Sequence, residues 1–114
     1  MGEAALQVWV ADNAEERSEG LRDVARLPAD VDGMLFVFDA PGSPVFVMEE
    51  TLIPLDVWFF DRSGVLLGNE EMAPCEAEPC IRYQAPESVQ WALETPLGAY
   101  EFEPGAVLTT SASD

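Results

Sequence analysis

Residues 45–60 read Val45-Phe46-Val47-Met48-Glu49-Glu50-Thr51-Leu52-Ile53-Pro54-Leu55-Asp56-Val57-Trp58-Phe59-Phe60. Two apolar arms, Val45–Met48 and Val57–Phe60, flank a polar knuckle, Glu49-Glu50-Thr51. β-Branched and aromatic residues fill both arms, which is the composition of buried strands. Pro54 fixes its own φ and disfavours helix at Ile53, so the stretch is not one long helix. Asp56 lies between Leu55 and Val57. A carboxylate in apolar surroundings is costly unless it is hydrogen-bonded or paired. Asp56 therefore reads either as a clamp on nearby backbone N–H groups or as part of a site, and the clamp is the expected role.

On the C-terminal side, Asp61-Arg62-Ser63-Gly64 reads as a β-turn. It joins the second arm to Val65-Leu66-Leu67 in a hairpin whose second strand runs on towards Met72. Pro74 to Cys80 is a loop held between two cysteines, Val89–Glu94 resumes strand character, and Pro96-Leu97-Gly98 turns. Glu103-Pro104-Gly105 turns again before a last expected strand, Ala106–Thr109. On the N-terminal side, Leu6–Val10 reads as a first strand. Asp12 or Asn13 caps a short helix that opens with Ala14-Glu15-Glu16-Arg17-Ser18-Glu19, has acids in its first turn where the macrodipole favours them, and runs past Gly20 to an end near Leu21 or Arg22. Leu27–Asp30 is a turn. Gly33–Phe38 is a wholly apolar run that fits a central strand, and Asp39–Pro44 reads as a loop by its Pro and Gly content. About six to eight short strands with one N-terminal helix indicate a mainly-β chain, a β-sandwich or distorted barrel. The expected organisation is an N-terminal extension (1–5), one domain (6–110) and a tail (111–114).

The chain has 114 residues, 48% of them hydrophobic, which is enough to build a core. It carries 22 acidic residues, five basic residues, all arginine, and no histidine, for a net charge of −17. Nucleic-acid and anionic-membrane binding need clustered Lys and Arg, so neither is expected. Without His there is no Ser-His or Cys-His couple and no imidazole metal ligand. The acids are spread along the chain, which reads as a salt-adapted surface of the halophilic kind rather than one acidic face for a cationic partner. No apolar run approaches the roughly 18 residues of a membrane span, and Met1–Ala5 has neither the basic nor the apolar region of a signal peptide.

Several pieces together resemble one family. They are Ala14-Glu15-Glu16-Arg17 leading to Gly20-Leu21, then Leu27-Pro28, then Gly33-Met34-Leu35-Phe36-Val37-Phe38. Met48 and Thr51-Leu52-Ile53-Pro54-Leu55-Asp56 follow, then the Pro74-Cys75 to Pro79-Cys80 loop, Tyr83, and Leu93-Glu94 before Gly98. This pattern resembles the domain-of-unknown-function 192 (DUF192, UPF0127) family over about residues 6–110. The resemblance implies a mainly-β, sandwich-like fold and a protein often exported from bacteria, with no settled activity to carry over. Two departures stand out. Glu49 and Glu50 occupy places where the family usually has Lys and Asn, which removes or reverses any anion-binding role of that Lys. Val24 stands where the family has an Arg.

The candidate constellations each have a plain structural reading beside the functional one. Cys75 and Cys80 are expected to form a structural disulfide, which implies an oxidising compartment. A redox pair lacks the Cys-x-x-Cys spacing, and a metal site lacks further ligands. Asp56 and Glu94 pair as general acid and base only if they share a cleft; otherwise one caps a turn and the other faces solvent. Met48, Trp58, Tyr83 and Trp91 read as a ligand-lining surface or as ordinary core. Arg82 is expected to pair with Asp56 or Glu94. The leading expectation is an extracytoplasmic, monomeric, non-enzymatic binding or accessory module for a small-molecule or carbohydrate-like ligand. It needs no cofactor. Its candidate site residues are Met48, Thr51, Asp56, Arg82, Tyr83 and Glu94, in a shallow cleft around the Met48–Asp56 segment and the Cys75–Tyr83 loop. The alternatives are a hydrolase acting on a carbohydrate-like substrate through Asp56 and Glu94, and a thiol-redox protein using Cys75 and Cys80.

Overall fold

The structure is a computed structural model that describes residues 5–110; residues 1–4 of the extension and the whole expected tail lie outside them. The described residues form seven strands and one short helix. In chain order these are β1 (Val8–Ala11), α1 (Ala14–Glu19), β2 (Gly33–Gly42), β3 (Val45–Phe46), β4 (Leu55–Phe60), β5 (Leu66–Met72), β6 (Tyr83–Gln84) and β7 (Val89–Pro96). Five strands make one sheet in the order β1-β2-β7-β4-β5, and β3 and β6 make a separate ribbon. Only β1–β2 is parallel; the other pairs are antiparallel. The architecture is a distorted sandwich without a closed barrel, as the mainly-β expectation requires.

The main sheet is buried on both faces, which explains why β4 is apolar throughout and buried at all six residues. Strand residues alternate between faces. Leu55, Val57 and Phe59 enter a core with Phe36 and Ala92, covered by Leu21, Met48 and Phe46. Trp58 and Phe60 enter a second core on the other face with Leu35 and Leu93, covered by Leu6, Phe102 and Leu108. Trp58 meets Phe102 edge-on with ring centroids 4.8 Å apart.

Single residues fix two local features, the approach of β2 to β7 and the start of α1. Gly33 has no side chain, and a Cβ there would lie 2.1 Å from the Glu94 carbonyl oxygen, so only glycine allows β2 to approach β7. Asn13 caps α1 by accepting from the Glu16 N–H at 2.8 Å, which resolves the choice between Asp12 and Asn13.

Three expectations are corrected. The expected loop Asp39–Pro44 is strand as far as Gly42, because the β2–β7 register slips between Val37 and Gly42 and accommodates Pro41. Side chains take the carbonyls around the slip: Arg17 Nη1 donates to Val37 at 2.8 Å and Gln90 Nε2 to Phe38. The first apolar arm is only half-buried. It pairs with the two residues of β6 outside the main sheet, so Phe46 and Met48 turn inward while Val45 and Val47 face solvent. The last expected strand is reduced to one bridge, Val107 with Val65. It meets the curved turn at Gly64, where Leu108 N–H donates to the Gly64 carbonyl at 2.6 Å, and no straight edge is offered beyond it.

Candidate functional site

The knuckle is a tight turn. Thr51 N–H donates to the Met48 carbonyl at 3.1 Å, and Glu50 takes the left-handed conformation at φ 58°. Asn tolerates that region better than Glu, which gives a physical reason for the Asn usual at this place in the resembling family. Two further backbone bonds fix the turn. Asp23 N–H donates to the Glu50 carbonyl at 2.7 Å, and Cys75 N–H reaches the Met48 carbonyl at 3.5 Å. The Met48 side chain is buried in the core beneath, so the knuckle is anchored from below as well.

The disulfide loop forms the opposite wall. Cys75 and Cys80 are joined, with Cα atoms 5.4 Å apart. Tyr83 packs on the core, and its hydroxyl accepts from the Ala73 N–H at 3.2 Å, which pins the entry to the loop. Between the walls lies a cleft of about 320 Å³. Glu49 and Glu50 line one side; Cys75, Glu76, Ala77, Glu78 and Cys80 line the other. Arg22 pairs with Glu50 at 3.2 Å on the outer side. Among the described residues, no three acidic or thiol side chains converge closely enough to hold a metal ion together.

The expected site residues are dispersed by the sheet. Met48 and Tyr83 support the walls from the core, and Thr51 is buried in the turn. Asp56 is 4% exposed and accepts from the Gly98 N–H at 2.9 Å, so it holds the turn after β7 against the start of β4. Glu94 is 5% exposed, and burial pushes its carboxyl up to about 8. The β4–β7 register pairs Asp56 with Thr95 and Val57 with Glu94. Alternation therefore sends Asp56 and Glu94 to opposite faces of the sheet. Glu94 does not face solvent from its strand, contrary to the plain reading of that residue.

Arg82 is exposed, and the ion pairs among the described residues are Arg17–Asp39 and Arg22–Glu50. It pairs with neither Asp56 nor Glu94, because each of those is enclosed by the sheet. The four candidate ligand-lining side chains also part company. Met48 and Tyr83 belong to one core, Trp58 and Trp91 to the other. They are core residues and form no common platform. Glu49, Glu50, Glu76 and Glu78 line the cleft although none was among the expected site residues. The cleft was expected at these two segments, the knuckle and the loop, but the sequence does not show which of their side chains line it.

The fold and the cleft thus define a small mainly-β domain whose apolar sheet carries an acidic, disulfide-walled rim. Residues 1–109 match the DUF192 family, described as an uncharacterized ACR, and the chain belongs to that family. Two solved structures share its fold. One is a protein of unknown function from Novosphingobium aromaticivorans DSM 12444, 24% identical with a TM-score of 0.69; the match covers 78% of this chain and 61% of that one. The other is a protein from Sinorhizobium meliloti 1021 to which a transcription-regulator role is ascribed. It is 29% identical with a TM-score of 0.68, over 80% of this chain and 68% of that one. No curated protein matches the chain.

Proposed function

We propose that the protein is a small, non-enzymatic, extracytoplasmic binding module, and that its site is the cleft between the knuckle and the disulfide loop. One observation carries the reading: Glu49, Glu50, Glu76 and Glu78 border a single cleft of about 320 Å³ whose walls are tied by backbone bonds and a disulfide. Such a rim suits an extended small cation, such as a polyamine, rather than a sugar that needs an aromatic platform. The scattered carboxylates do not converge as a metal site requires. The disulfide supports an oxidising compartment. The net charge of −17 favours a monomer and weighs against extending the transcription-regulator role to this chain, since DNA binding draws on Lys and Arg. Hydrolysis by Asp56 and Glu94 is not proposed, because the two carboxyls lie on opposite faces.

Calorimetric titration with spermidine tests the reading. Saturable binding is expected, weakened about tenfold in the Glu49→Gln, Glu76→Gln double variant and by added salt. Equal affinity in the variant and the wild type would remove the cleft as the site.

A further inference from the structure

Glu94 is a buried carboxyl without a partner. It is 5% exposed, and burial is the sole cause of its raised pKa, so no donor or cation among the described residues offsets that burial. No side-chain oxygen wholly sealed from solvent lacks a partner among the described residues, so the little exposure Glu94 keeps lies at its carboxyl. The register sets Glu94 between Met34 and Val57, and sets Met34 beside Trp9. Residues directly opposite one another share a face, so Trp9, Met34, Glu94 and Val57 form one row across the sheet. At the β1 edge the row ends in Trp9, where a shallow hollow of about 700 Å³ opens against Asp23, Val24 and Pro28.

The connection from α1 to β2 covers this face and has neither helix nor strand. Leu21 anchors its start, while Val24 and Leu27 sit half-buried on the core that holds Met34 and Val57. Among the described residues, one backbone bond ties residues 22–28 to a part of the fold distant in sequence: Asp23 N–H donates to the Glu50 carbonyl at 2.7 Å. Both residues of this clasp are left-handed, with φ 65° at Asp23 and 58° at Glu50, a strained conformation for side chains of this kind. Arg22 adds a solvent-accessible ion pair to Glu50 at 3.2 Å.

An ionised Glu94 must reach water. β7 lies between β2 and β4, so the sheet cannot part there without losing two ladders of hydrogen bonds. The connection can move at the loss of one backbone bond. Its charged groups and those of the knuckle are Arg22, Asp23, Arg26, Asp30, Glu49 and Glu50; all but Arg22 are exposed, and Arg22 is committed to Glu50. On the strand side, Asp56 faces the other way, Asp32 is held by the Gln7 N–H and the Tyr100 hydroxyl, and Glu70 ends the row two strands off, exposed. None of these groups offsets a charge on Glu94.

We propose that residues 22–28 are a pH-sensitive strap, closed over Glu94 while its carboxyl keeps its proton and released from the knuckle when the proton leaves. The closed form holds the proton up to about 8; the open form, with the carboxyl hydrated, gives it up near the ordinary 4.5. Opening therefore becomes more favourable as pH rises between those values, by at most about tenfold per unit, and changes no further above about 8. Release unhooks Asp23 from Glu50 and uncovers Met34 and Glu94 beside the hollow at Trp9.

Limited proteolysis with trypsin tests the strap. Arg26 is exposed, but Leu27 after it is packed on the core, so the bond between them is cut from the open form. The bond after Arg82, exposed and outside the strap, is the reference, and the pH dependence of trypsin itself cancels in the ratio of the two. Initial rates at low trypsin, read by mass spectrometry, should give an Arg26-to-Arg82 ratio that rises by up to about tenfold per unit from about pH 6 towards 8 and is flat beyond. In Glu94→Gln, which stays neutral, the ratio should not change with pH. The wild-type profile decides even where that variant does not fold: a ratio constant with pH would mean that ionisation of Glu94 does not open the strap, and would overturn the proposal. A rise that persists in Glu94→Gln would assign the response to another group and overturn it as well.

Discussion

Asp56 and Glu94 sit one register position apart on neighbouring strands, yet meet opposite conditions. Asp56 has a donor in the Gly98 N–H at 2.9 Å. Removing the carboxyl leaves that part-buried N–H without its acceptor, so Asp56→Ala should cost about 1 kcal/mol in chemical denaturation, and Asp56→Asn, which keeps an acceptor, clearly less. An alanine variant as stable as wild type would dismiss the clamp. Burial alone shifts Glu94, from 4.5 to about 8. In that interval the folded protein holds a proton that the unfolded chain releases. The stability that Glu94 contributes is therefore fullest below about 4.5, falls as pH rises, and is lost above about 8. The slope from this one group is at most about 1.4 kcal/mol per pH unit. Glu94→Gln should remove that part of the slope. Denaturation midpoints of the two proteins across this range check it, and parallel curves would show that Glu94 ionises without cost to the fold.

At the scale of elements, the knuckle and the disulfide loop act as one unit because the Met48 carbonyl receives both Thr51 and Cys75 N–H groups. The Cys75–Cys80 ring is small, and loop entropy assigns it about 2 kcal/mol. Cys75→Ser with Cys80→Ser should lose about that much stability. It should also speed hydrogen exchange at Thr51 and Cys75 more than in β4, whose six residues are buried. Alkylation and mass spectrometry of unreduced wild type should find neither thiol free. Exchange unchanged at Thr51 would mean the knuckle stands without the loop.

For the whole molecule, charge is the dominant feature. Twenty-two acids face five arginines, and among the described residues only Arg17 and Arg22 form ion pairs, both solvent-accessible and worth little each. Repulsion is left to be screened by the medium, since the Debye length shrinks from about 10 Å at 0.1 M to about 3 Å at 1 M salt. The Tm should rise steadily from low to molar NaCl. A flat or falling Tm in calorimetry would set aside the salt-adapted reading of the surface.

What the sequence determined by itself were the features that depend on near neighbours. A cap at Asp12 or Asn13 ahead of α1, the Asp61–Gly64 turn, the apolar Val57–Phe60 arm and the Cys75–Cys80 pair are all local, because capping, turn chemistry, strand composition and short-ring closure are settled within a few residues. The family-bearing pieces, Gly33–Phe38 and Thr51–Asp56, were legible for the same reason. Tertiary structure alone decided which residues meet. Only the β4–β7 register separates Asp56 from Glu94, and only the approach of the knuckle to the disulfide loop gathers Glu49, Glu50, Glu76 and Glu78 around one cleft. Pro41 looked like the mark of a loop, yet a register slip and two side-chain donors keep it within β2. The physical reason is common to these cases: pairing partners lie tens of residues apart, and a shift of one position in a strand turns every side chain to the other face.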